Sequence, residues 1–139
     1  MKNTSVQAFF RLFDYIDGSN NMNAKIPMTA PVSMRILPGE GPNCESNYTM
    51  SFWIPSDFQE DTPAPSDPLL YIEERPGFEV VAKEFPGFPT DLDFGREAAE
   101  LYDLAQGAGL APREVPLWTG GYSGPGVIIN RRNAVWLEI

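Results

Sequence analysis

The 139-residue chain has no histidine and a single cysteine, Cys44. Without an imidazole, Ser-His-Asp and Cys-His catalysis are excluded, as are histidine-bearing zinc sites. A lone cysteine closes no internal disulfide and cannot build a four-cysteine zinc site, so a reducing, cytoplasmic setting is expected. Positive charge is scarce too: ten Lys and Arg against nineteen Asp and Glu give a net charge of −9. That balance is spread along the chain rather than blocked into a tail, and it argues against nucleic acid as a partner. No apolar run is long enough to span a bilayer, and the first residues lack a signal-peptide pattern.

What is present suits one globular domain over residues 1–139, with 42% hydrophobic residues and 12% aromatics. Phe9, Leu12, Phe13 and Ile16 recur at helical spacing, which predicts a helix over about Ser5–Asp17 with Thr4 or Ser5 as its cap and Gly18 as its stop. Lys25 to Leu37 reads as a strand bent by Pro27 and Pro31, each of which removes a ladder donor. Pro38 to Pro42 is a turn, and Asn47 to Ile54 alternates as a half-buried strand with Trp53 on its far face. Leu69–Glu74 and Phe78–Phe85 are expected to form a hairpin about Arg75-Pro76-Gly77. Asp93 is expected to cap a second helix through about Gln106, and Val115–Trp118 and Ala134–Ile139 are the last strands. The expected order is thus helix, two strands, hairpin, helix, two strands.

A helix beside a proline-bent strand carrying Met28 makes a wall for a hydrophobic cleft, and it is equally an ordinary way to close a small core. The adjacent pair Glu73-Glu74 invites an acid–base reading, but neighbouring strand residues point to opposite faces and do not converge. Gly120 to Gly126 is glycine-rich yet lacks the lysine and following helix of a phosphate loop, so a plain link is expected. No nucleophile–base pair and no metal set can be assembled, and the expectation is a protein without enzymatic activity.

One set of blocks carries a resemblance. Arg11 to Asn20 followed by Lys25-Ile26-Pro27-Met28-Thr29-Ala30-Pro31-Val32, then Met50 to Ser56, Pro63 to Asp67, Ile72 to Pro76, Thr119 to Tyr122 and Asn130 to Leu137, resembles the SOUL/haem-binding protein family in collinear order. The resemblance covers nearly all of Phe9 to Leu137. It implies an α+β fold in which two helices pack on a mostly antiparallel, distorted β-barrel of duplicated ββαββ units. The family's first strand pair is expected to be missing here, since the chain begins almost at the first helix, and the exposed sheet edge would then invite an edge-strand partner or self-association.

The function implied is binding of haem, another tetrapyrrole or a similar flat apolar molecule, in a cleft between the first helix and the sheet. By the same resemblance Phe9, Leu12, Phe13, Ile16 and Met28 form one wall, and Tyr122, Ile128 and Ile129 the other. Arg11, Lys25, Arg131 and Arg132 are the candidate contacts for propionates. Val6 and Asp14 stand where the family's haem binders carry basic residues, which weakens that electrostatic help. Because no histidine exists, no imidazole can ligate iron, and Met, Cys and Tyr are the remaining types of axial ligand. A different reading on the same fold is a protein-interaction or regulatory module that binds no haem.

Overall fold

A computed structural model describes residues 2–37, 47–122 and 131–139, with side chains from Ser5 onward. Cys44, the Pro38–Pro42 turn, and Ile128 and Ile129 therefore lie outside the described residues. Contacts divide the chain into two compact units, residues 1–30 with 50–76 and residues 31–49 with 77–139. The elements are α1 (Lys2–Ile16), β1 (Val32–Leu37), β2 (Asn47–Ser51), a short 3-10 turn (Ser56–Phe58), β3 (Val80–Phe85), α2 (Asp91–Gly107), β4 (Leu117–Gly121) and β5 (Asn133–Glu138).

In the first unit, Tyr15, Ile16 and Ile26 form the buried core, packed by Phe52, Phe58 and Leu70. α1 begins before the expected cap: neither Lys2 nor Asn3 breaks a helix, so Thr4 and Ser5 fall inside it. It ends where expected, at Gly18, whose φ of 122° only glycine adopts without strain. Asn20 then secures the turn. Its buried side chain donates to the carbonyls of Tyr15 and Ala24 and accepts from the amides of Met22 and Ala24. Residues 25–31, expected as part of a bent strand, form no strand, because Pro27 and Pro31 supply no amide hydrogen; pairing starts immediately after Pro31.

The second unit is built on an antiparallel five-stranded sheet in the order β2-β1-β4-β5-β3. The fold is therefore α+β as expected, but the sheet is open rather than closed into a barrel, with β2 and β3 at its edges. The expected hairpin does not form. Asp67 instead turns the chain over Leu69 and Leu70 through its carboxylate and carbonyl, and Pro68 and Pro76 deprive the intervening segment of ladder donors. β3 begins only at Val80 and pairs with β5.

α2 packs Leu101 on Val135 and Leu137, with Val81, Phe85, Phe94, Tyr102 and Leu117 around them. Thr90, not Asp93, is its cap: the Thr90 hydroxyl accepts from the Asp93 amide while the Asp93 carboxylate accepts from the Thr90 amide. Asp93, the one cap expected from the sequence, is placed by the reciprocal pair at the third helical position instead, where it satisfies the Thr90 amide. Lys83 reaches from β3 to Glu97 and Glu100 on α2, whose carboxylates raise its pKa.

The register sets the other face of the sheet. Ser33, Gly120 and Ala134 stand in one row, and Arg35, Trp118 and Trp136 in the next. The Trp136 indole lies over Gly120 so closely that a Cβ there would sit 2.8 Å from its ring. Trp118 stacks with Phe78 at 5.6 Å and tilts against Trp136 at 6.5 Å.

Candidate functional site: the aromatic face of the first helix

Two opposed demands shape α1. One side is held by the segment at 63–67. The Tyr15 hydroxyl donates to the Pro63 carbonyl at 2.7 Å, Arg11 donates to Asp67 at 2.7 Å, and the backbone of Asn20 bridges to Pro65. Burial pushes the Tyr15 phenol up, while the amide of Leu69 and then the Arg11 guanidinium hold the Asp67 carboxyl below its usual range. The other side carries exposed apolar residues. Val6, Phe10 and Phe13 follow one another at i, i+4 and i+7 and are 54%, 55% and 40% exposed. Phe9 lies between the two sides. Its ring is near-parallel to Phe13 (6.4 Å, 16°) and edge-on to Phe10 (5.5 Å, 87°) and Phe52 (5.4 Å, 62°).

A surface helix ordinarily buries its aromatic stripe and presents polar groups to water. Here three rings make an aromatic platform in which Phe10 stands edge-on to Phe9 and two rings are exposed. Such a surface suits another π-system, since ring pairs prefer offset or edge contacts at these separations.

The expected site residues fall into distinct places. Phe9 and Leu12 are half-buried, Phe13 is exposed on the platform, and Ile16 is turned into the core away from it. Met28 is exposed in the same unit, and Lys25 is exposed with Asp17 at 4.0 Å. Tyr122, Arg131 and Arg132 belong to the second unit. Tyr122 packs on the Trp118–Ala134–Trp136 cluster beneath the Arg132 guanidinium, Arg132 pairs with Glu84 at 2.6 Å, and Arg131 lies 4.4 Å over the Phe88 ring. Phe10 was not among the expected residues. Its signal was present, since it stands beside Phe9 and one turn before Phe13, but periodicity assigns only one stripe per helix to a contact face.

Comparison with known proteins decides the kinship. A family model described as SOUL heme-binding protein matches residues 1–138. The chain belongs to the SOUL haem-binding family. Among curated proteins, this SOUL chain is 36% identical over 129 residues to "Heme-binding protein 2" of Mus musculus and 37% identical over 129 residues to that of Homo sapiens, in each case over 93% of this chain and 63% of the relative. "Heme-binding protein 1" of Sus scrofa is 33% identical over 131 residues, covering 94% of this chain and 69% of the relative. The SOUL chain thus spans just under two thirds of the length of the heme-binding protein 2 relatives.

The first unit of this SOUL chain exposes the aromatic surface of Phe10 and Phe13. No imidazole exists, the Tyr15 hydroxyl is committed to Pro63, and among the described residues no cluster of metal-ligating side chains forms. No helix among them is long and apolar enough to cross a membrane.

Proposed function

We propose that this SOUL-family chain is a non-enzymatic tetrapyrrole-binding module that lays the flat face of the macrocycle against Phe9, Phe10 and Phe13. The observation that carries the reading is the exposed aromatic stripe, an arrangement that costs solvation unless a ligand covers it. The relatives named for haem binding supply the ligand class. Iron, when bound, would offer its own coordination chemistry. The chain's part is to hold the ring by apolar contact, worth about 25 cal/mol for each Å² of apolar surface removed from water.

Haemin titration followed in the Soret band tests the proposal. A saturable shift at one equivalent is expected, and Phe10→Ala/Phe13→Ala should weaken it by about tenfold or more, roughly 1.4 kcal/mol. The variant's melting temperature should fall only modestly, because the two rings are 55% and 40% exposed. Phe13→Asp should act in the same direction. Metal-free protoporphyrin should bind within about tenfold of haemin, since ring burial and not ligation is the source of affinity. Featureless partitioning, or equal affinity in the folded double variant, would refute the site and favour a protein-interaction role.

A further inference from the structure

The ligand-binding platform of α1 is edged by acid. Asp14 follows Phe10 by four residues and Asp17 follows Phe13 by four, so each open ring has a carboxylate one turn beyond it. The spacing stays helical to the end, as the Asp17 amide donates to the Phe13 carbonyl at 2.9 Å. Both aspartates are exposed, and no basic residue stands in the last turn of α1 to offset the negative end of the helix.

The cations described in the first unit are already engaged. Arg11 is bonded to Asp67 at 2.7 Å, Arg75 is paired with Glu73 at 2.9 Å, and Lys25 faces Asp17 at 4.0 Å. Asp14 makes no ion pair among the described residues. A macrocycle with two free carboxylates would thus bring like charge against Asp14 and find, among the described residues of this unit, each cation already beside a carboxylate.

Resting on the tetrapyrrole reading above, we infer that this site selects macrocycles whose rim carboxylates are esterified or absent, and discriminates against dicarboxylic porphyrins. The selectivity comes from repulsion rather than from an added attractive contact, with Asp14 as its determinant, since Lys25 stands beside Asp17 at 4.0 Å and offsets its charge.

The test compares metal-free protoporphyrin IX with its dimethyl ester, both delivered from the same neutral detergent micelles and followed by porphyrin fluorescence. The native protein should bind the ester at least about fivefold more tightly than the diacid, the scale of one or two exposed like-charge contacts. Asp14→Asn should raise affinity for the diacid by a similar factor and leave the ester within about twofold. In the native protein, about 0.5 M salt should strengthen diacid binding by screening the repulsion, the reverse of a site that grips propionates with cations. The inference is overturned if the diacid binds as tightly as the ester, if Asp14→Asn leaves their ratio unchanged, or if salt weakens the diacid. Binding of neither porphyrin would overturn the tetrapyrrole reading itself, and the inference with it.

Discussion

Gly120 and Gly95 make opposite demands on a side chain. At Gly120 a Cβ would stand 2.8 Å from Cζ2 of Trp136, whose ring also tilts against Trp118 at 6.5 Å. Gly120→Ala should therefore cost about 1–3 kcal/mol through overpacking. Gly95 lies within α2, has open space around its Cα and keeps an ordinary φ, so Gly95→Ala should stabilise by about 0.5–1 kcal/mol. Urea denaturation of both variants checks the pair; a neutral Gly120→Ala would mean that Trp136 is free to move. Nothing at residue level in the sequence separates these glycines. Only the strand register, which sets Gly120 beside Ala134 and one step from Trp136, gives the first its role.

At the scale of elements, local chemistry was legible wherever it was self-contained. The apolar spacing of α1 and the glycine that stops it could be read directly, because a helix contact face and a left-handed terminus are decided within a few residues. The start of α2 was read three residues late. Thr90→Ala should cost about 1 kcal/mol, since the Asp93 amide loses its acceptor and the reciprocal bonds of the capping box are broken. A denaturation midpoint unchanged from the native protein would show instead that Asp93 alone closes the helix end. The hairpin expected at 69–85 failed for a different reason. Alternation was present, but the Asp67 turn and Arg75, held by Glu73 and by the Ser51 hydroxyl at 2.9 Å, fix the segment in another path.

For the molecule as a whole, the −9 charge makes carboxylate titration the main lever on stability. Asp67, Asp93 and Glu100 all have lowered pKa values, through the amide of Leu69, the amide of Thr90 and the Lys83 ammonium respectively. A depressed folded-state pKa contributes stability that is present above the unfolded value and is lost as pH falls through the folded one. Thermal stability should hence hold near neutrality and drop progressively below about pH 4. Lys83, raised by Glu100 and Glu97, and Tyr15, raised by burial, have the opposite sign; their contributions are lost as pH climbs beyond about 10. Melting temperatures across that range would contradict this if stability rose on acidification to pH 3.

The sequence by itself determined that no histidine chemistry is available, that the charge is acidic, where α1 ends, and which family the collinear blocks resemble. These follow from composition and from interactions between near neighbours, which need no knowledge of the fold. Tertiary structure decided the rest: that the sheet is open, that Ile16 enters the core while Phe10 and Phe13 stay exposed, that Arg11 is committed to Asp67 and Arg132 to Glu84, and that Asp93 completes a cap begun by Thr90. The exposure of one aromatic stripe and the burial of its neighbour depend on which segments pack against the helix. Those segments lie some fifty residues away in the chain, as Arg11 and Asp67 do (|i−j| = 56), so no local pattern carries them.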